Sequence, residues 1–347
     1  MKRTGAIALL VLALLAAGCG GDGDAVPERP DRLVVLTHSS FAIPDEVVAA
    51  FEAEWGIGLS FLDGGDAGLM VNQAVLTKDN PIADVIYGVD NTFLSRALDA
   101  GIFAPYRPAA LANIPDDLEL DPSYGAIPID YGDVCLNYDR EEIADEAAAL
   151  TLEDLTGPEY TGRLVVQDPA SSSPGLAFLL ATIARFPAGS DYPWQQFWTD
   201  LRANDVLVVS GWEEAYGTHF TRSGGDRPLV VSYASSPPVE MIFGDYADAP
   251  TGVITDGCFR QIEFAGVLAG TGHEDWAKKV IDWMLSPEFQ EAVPLNMFVF
   301  PADATVPLPE VFIAHTTLPE NPLAIPPAAI DANREAWIEE WTEIVLR

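Results

Sequence analysis

The sequence predicts an α/β fold of two lobes, with a cleft between them and paired crossover strands joining them. Three observations lead there. Short β-rich runs alternate with helical patterns along most of the chain. Two longer apolar segments, Ala126 to Tyr138 and Cys258 to Ala265, bracket the middle of it. The chain, at 347 residues, is also longer than one core holds, since single cores stop growing at roughly 250–300 residues. An apolar fraction of 49% is ample for packed interiors.

The first residues belong to targeting rather than to the fold. Met1-Lys2-Arg3 is a short basic start, and Gly5 to Gly18 is an apolar run without a charge. That run is too short to span a membrane, which takes about 20 apolar residues, and it has the flanks of a secretory signal. It closes on Leu15-Ala16-Ala17-Gly18-Cys19, which resembles a bacterial lipobox, a signal cleaved before the cysteine whose thiol carries a lipid. The alternative is an ordinary signal peptide followed by a chance cysteine. Residues 19–32 are Gly-, Asp- and Pro-rich and predict a flexible tether. Removing 1–18 leaves 329 residues for the lobes.

The elements follow in order. Leu33 to Thr37 predicts a strand, and Pro44 to Trp55 an amphipathic helix with Val47, Val48, Phe51 and Trp55 on one face. Leu59 to Leu62 is a second strand, Gly68 to Lys78 a helix, Asp84 to Tyr87 a strand, and Asn91 to Ala100 a helix stopped by Gly101. The middle block repeats the pattern. Strands at Arg163–Gln167, Val206–Val209 and Leu229–Tyr233 alternate with helices at Pro174–Arg185 and Trp212–Arg222. Repeated β-α-β units with continuous apolar strands predict a mostly parallel sheet covered by helices. The first lobe is then 33–129 with 259–305, the second 130–258. Residues 306–347 form a proline-rich tail and a closing helix that packs through Ile330, Trp337, Ile338, Trp341 and Val345. In such sheets ligands bind at the carboxyl ends of the strands.

Charge and cysteines narrow the function. A net charge of −35, from 53 acidic and 18 basic residues, repels nucleic acid and favours cations. Acidic, lysine-poor surfaces also suit a salty habitat, so the bulk charge says little about a ligand. Of three cysteines, Cys135 and Cys258 remain once Cys19 carries lipid, and in an oxidising compartment they are compatible with one disulfide. The four histidines are scattered, without zinc-site spacing, and no metal or cofactor is expected.

Several strand ends carry chemistry. Gln167 to Gly175 runs from strand into helix, where Ser172 or Ser173 caps and Pro174 suits the first turn. The free N–H groups there, with the serine hydroxyls, either cap the helix or receive an anion such as phosphate. Trp212 and Tyr216, at i and i+4, present a joint aromatic surface that could hold a flat cation, or serve as core. Tyr233 and Ser236 end another strand. Asp90 precedes a helix and is half explained as its cap, whereas Asp130, at the first crossover, is the better carboxylate for a bound cation.

Taken in order, these segments resemble the periplasmic thiamine-binding proteins of ABC importers over nearly the whole mature length. The resemblance rests on Thr37-His38-Ser39-Ser40-Phe41, on Ala83 to Asn91, on Asp130-Tyr131-Gly132, and on Gln167 to Gly175. It continues through Gly211 to Gly217, Ser232 to Pro237, and Arg334 to Trp341. It implies a type II periplasmic binding protein fold, a cleft closing on thiamine or its phosphates, and a monomer. It also implies a permease and ATPase as partners, while the lipobox predicts an extracytoplasmic protein anchored to the membrane by lipid on Cys19. Ser173 and its neighbours, with Trp212 and Tyr233, would contact the ligand, and Asp130 and Tyr131 would lie close by. Ser39 and Ser40 belong to the first motif, where the family commonly has Asp at the position of Ser39, and Phe298 stands where it often has Trp.

Two other readings compete. Thiaminase I shares the fold and uses a cysteine nucleophile, a role open to Cys135 on the crossover. A carrier for ferric ion or a polyamine is the second, with Tyr131, Tyr216 and Tyr233 as its tyrosines.

Overall fold

The computed structural model describes residues 28–143 and 148–347. The signal segment, Cys19 and most of the tether lie outside the described residues.

The chain opens with β1 (Arg32–Thr37), α1 (Asp45–Trp55), β2 (Gly58–Asp63), α2 (Ala67–Leu76), β3 (Val85–Asp90), α3 (Leu94–Ala100) and β4 (Phe103–Ala104). It leaves this lobe on β5 (Ile127–Asp139). There follow β6 (Leu164–Gln167), α4 (Ser173–Arg185), α5 (Trp194–Ala203), β7 (Leu207–Val209), the short α6 (Trp212–Glu214), β8 (Leu229–Tyr233) and α7 (Pro237–Phe243). The return is β9 (Thr251–Leu268), then α8 (Glu274–Met284), α9 (Pro287–Asn296), β10 (Phe300–Pro301), α10 (Glu310–His315) and α11 (Pro327–Val345).

One sheet runs through both lobes in the order β2-β1-β3-β9-β5-β8-β6-β7. Its centre is the antiparallel pair β5 and β9, from Ile127↔Ala265 to Asp139↔Thr251. β3 joins one end of β9, and β8 joins the opposite end of β5. Each lobe thus takes three strands of its own beside one half of the central pair. The sheet is more mixed than the β-α-β pattern predicts. β1–β2, β1–β3, β6–β7 and β6–β8 are parallel, but each strand that pairs with β5 or β9 does so antiparallel. A chain that goes out on one long strand and returns on its neighbour must run both ways there.

Cys135 and Cys258 form a disulfide across this pair, with Cα atoms 4.3 Å apart. They sit where the ladder slips, between Val134 and Leu136 on β5 and between Ile254 and Phe259 on β9.

The predicted helix from Trp212 to Arg222 is not continuous. After α6 the chain widens into a π turn over Ala215–His219, with Phe220 N donating to the Ala215 carbonyl at 3.0 Å. Gly217 and the β-branched Thr218 are poor helix formers, and wide turns of this kind occur often at functional sites. The closing helix reaches both lobes. Trp341 packs edge-on to Trp198 of α5 at 5.4 Å, while Arg96 of α3 pairs with Glu335 at 2.9 Å. Of its five expected packing residues, Ile330, Trp341 and Val345 are buried, and Trp337 and Ile338 are half-buried against the core.

Candidate functional site

Between the lobes lies a cleft of about 690 Å³, counting its open mouth. The loop after β1 supplies His38, Ser39 and Ser40, and the start of α2 supplies Asp66 and Ala67. β9 adds Glu263, and the turn before β10 adds Met297, Phe298 and Val299. The opposite wall is Ser173 and Pro174 of α4, Trp212 and Tyr216, Tyr233 and Ser236 after β8, and Val239 of α7. Most of these residues stand at or just past strand ends, where one lobe's helices face the other.

The aromatic wall is rigid. Trp212 and Tyr216 stack at 5.1 Å with planes 18° apart, which the widened turn permits. The indole N–H donates to Ser232 Oγ at 2.9 Å, and Ser232 and Ser236 share a hydrogen bond at 2.8 Å. Tyr216 donates to Glu240 at 2.9 Å, and Tyr233 to Gln261 at 3.2 Å. Opposite, Phe298 has a φ of 57°, in the left-handed region that a bulky residue adopts at a cost of about 1–3 kcal/mol. Its carbonyl accepts from Ser235 Oγ at 2.5 Å.

The carboxylates of the site come from residues that no sequence signal marked. Asp66 crosses from one lobe to the other. Its Oδ1 accepts from Ala67 N at 2.8 Å and Ser173 N at 3.2 Å, and its Oδ2 from Trp212 N at 2.9 Å and Ser172 Oγ at 3.1 Å. The Ser173 N–H at the start of α4 and the Trp212 N–H at the start of α6, donors suited to an anion, therefore hold a carboxylate of the chain itself. Gly211 permits the approach, since a Cβ there would lie 2.8 Å from Asp66 Oδ2. Burial raises the Asp66 carboxyl above its ordinary range despite these donors. A second cross-cleft contact joins Ser40 Oγ to Glu213 at 2.7 Å.

Beneath the cleft floor a cluster of acids is shared between strands. Glu263 Oε2 lies 3.5 Å from His38 Nε2, and its Oε1 accepts from Gln261 at 2.8 Å. Burial favours the neutral acid at Glu263, but the neighbouring His38 charge, with the Gln261 hydrogen bond, outweighs it and holds the carboxyl below its usual range. Asp130 goes the other way. Burial and the neighbouring Glu263 charge push it well up, and the Tyr87 hydroxyl donates to it. Asp90 is raised to about 7, chiefly by burial.

Residues 80–311 match the bacterial extracellular solute-binding proteins. The chain belongs to that family. The thiamine-binding periplasmic protein of Escherichia coli (strain K12) is 33% identical over 320 residues, covering 91% of this chain and 94% of that one. Its counterpart in Brucella melitensis biotype 1 is 30% identical over 330 residues, covering 92% and 94%. A solved periplasmic thiamin binding protein superposes with a TM-score of 0.79 at 29% identity, over 91% of this chain and 96% of that one. A ferric binding protein from Campylobacter jejuni reaches 0.73 at 20% identity, over 90% and 99%, a likeness of fold alone. The fold is accordingly the type II two-lobed one, and the protein is an extracytoplasmic solute carrier rather than an enzyme. The sulfur of Cys135, the nucleophile of the enzymatic alternative, is bonded to Cys258.

Within this solute-binding protein, the residues expected at the site divide. Ser39, Ser40, Ser173, Trp212, Tyr216, Tyr233, Ser236 and Phe298 line the cleft together. Four others do not. Ser172 is buried behind the wall, turned to Asp66. Asp90 is buried on β3, where its Oδ1 accepts from Thr92 N at 2.6 Å. Asp130 is fully buried below the floor, outside the cleft lining, with its carboxyl pushed up by burial and by Glu263. Tyr131 stacks on Phe300 at 5.3 Å and under Arg260 at 5.0 Å, away from the cleft. That also breaks up the tyrosines of the ferric reading, and the described residues hold no group of three or more His, Cys, Asp or Glu able to bind a metal. Among the lining residues missed, Glu263 left a readable trace, a lone acid in the apolar run of a crossover strand. Asp66, at a Gly-Gly-Asp turn, looks like an ordinary cap.

Proposed function

We propose that this protein captures thiamine, or a phosphorylated thiamine, and delivers it to the permease and ATPase of an ABC importer. The observation that carries the reading is the stacked Trp212–Tyr216 pair in the wall of a cleft that also holds Glu263 and Asp66. A flat cation suits that combination. Its ring gains from the aromatic face, and its charge gains from carboxylates in a pocket shielded from water. The names of the relatives at 30–33% identity point the same way.

The hydroxyl end of thiamine, or a phosphate on it, would reach Ser173, whose buried Oγ has no partner. A phosphate there would compete with Asp66 for the same N–H groups. Titration calorimetry against thiamine, spermidine and ferric ion tests the reading. Saturable heat with thiamine and none with the other two is expected; tighter binding of spermidine or iron overturns it.

The address is part of the proposal. Cleavage before Cys19 and lipidation of its thiol would tether a monomer to the membrane beside its permease. Growth with a radiolabelled fatty acid should label the native protein but not Cys19→Ser; equal labelling of both refutes the anchor.

A further inference from the structure

His38 is the one imidazole among the described residues that lines the cleft. Its side chain is 11% exposed, and Nε2 is buried without a hydrogen-bond partner, 3.5 Å from Glu263 Oε2. The ring is pinned. It lies 5.6 Å from the Tyr87 ring and is seated on Gly88, whose φ is +97° and where a Cβ would fall 2.3 Å from the imidazole.

The groups that face it are nearly all acids. β9 presents Glu263, the start of α2 presents Asp66, and β3 presents Asp90 and the Tyr87 hydroxyl, behind which stands Asp130 of β5. Tyr233 of β8 turns its hydroxyl to Gln261, which in turn donates to Glu263. Among the described residues no lysine or arginine lines the cleft. Among the described residues, His38 is thus the only cleft-lining group that can place a positive charge where a cationic ligand would sit.

We propose that His38 makes capture of a cationic ligand proton-linked: the cation binds against the neutral imidazole and expels its proton to solvent, so that binding tightens as pH rises and loosens in acid. The inference rests on the thiamine reading for the charge of the ligand. The direction follows from linkage. Burial opposes the imidazolium, but Glu263, Asp66 and Asp90 outweigh it, leaving the free imidazole above its ordinary value of 6.5. A fixed positive charge in the same low-dielectric pocket reverses that balance. Affinity then climbs by up to about tenfold per pH unit between the bound-protein and free-protein midpoints of His38 and is flat on either side.

Asp90 titrates in the same range and, by ionising as pH rises, would also favour a cation, so the test must separate the two. Imidazole resonances of the wild-type protein, assigned with His38→Gln, are followed from about pH 5.5 to about pH 8.5 with and without saturating thiamine. The His38 midpoint is expected to fall by at least about one unit on saturation. Calorimetry in two buffers of different ionisation enthalpy counts the protons released. Wild type and Asp90→Asn should both release them near neutrality, and His38→Gln should release far fewer and show a flatter affinity profile. An unmoved His38 midpoint in protein that binds thiamine overturns the proposal, as does equal proton release by His38→Gln and wild type. Absence of thiamine binding at every pH overturns the thiamine reading, and this inference with it.

Discussion

Trp212 is held at three points: its indole N–H on Ser232, its face on Tyr216, and its backbone N–H on Asp66. Such a ring loses little freedom when a ligand stacks on it, so its contact energy reaches the ligand almost undiminished. A desolvated cation–π contact contributes about 2 kcal/mol, so Trp212→Ala should weaken thiamine and thiamine monophosphate alike by roughly 30-fold. Equal affinity in the mutant would return Trp212 to a packing role. Asp66 discriminates between the two ligands. Asp66→Asn keeps one acceptor for the N–H groups but removes the charge that repels phosphate, so thiamine monophosphate should gain on thiamine by about tenfold. Ser173→Ala should weaken the monophosphate more than thiamine, because a hydrogen bond to a charged group is worth about 1.5–3 kcal/mol. Titrating each mutant with both ligands separates these effects, and an unchanged ratio in Asp66→Asn removes Asp66 from phosphate discrimination. Residues that act through their own strand end, such as Ser173 and Trp212, were legible in the sequence. Asp66 and His38 were not, because what they do is set by groups more than a hundred residues away.

At the scale of elements, local pattern served where an element is made by its own residues and failed where tertiary packing decides. β1, β3, β6 and β8 agree with their apolar runs to within a few residues. β9 begins at Thr251, seven residues before the apolar segment read as its start. Gly252 and Gly257 disguise that stretch as a turn, yet pairing with β5 holds it as strand. Trp212–Arg222 has the periodicity of one helix, but the stacking of Trp212 on Tyr216 and the burial of Phe220 favour the wider turn. The crossover pair also carries the disulfide, which closes a separation of 123 residues. Loop-closure entropy on that scale is worth up to roughly 4–5 kcal/mol, with measured effects often smaller. Cys135→Ala/Cys258→Ala should therefore lower the free energy of unfolding by about 2–4 kcal/mol in denaturant titrations, with thiamine affinity changed less. A double mutant as stable as wild type would mean that the hinge is held by strand pairing alone.

The whole molecule joins two lobes through β5, β9 and the strap of α11, and closes them through Asp66, Ser40–Glu213 and Ser235–Phe298. The division into two lobes was legible from the two long apolar segments. The mixed sheet was not, because strand direction at the centre follows from the path out and back rather than from any local run. The net charge of −35 admits two physical roles, and they separate on one axis. As a steering field it draws cations toward an acid-bearing cleft and raises their association rate. As self-repulsion it strains the compact state and is relieved when salt screens it. Between about 0.05 M and about 0.5 M salt the Debye length shrinks from roughly 14 Å to roughly 4 Å, so both effects should be lost over that range. Stopped-flow measurements should find the thiamine association rate falling several-fold with little change in dissociation, while thermal unfolding moves to higher temperature. A rising melting temperature with a flat association rate would assign the charge to life in salt and leave cation capture to the carboxylates inside the cleft.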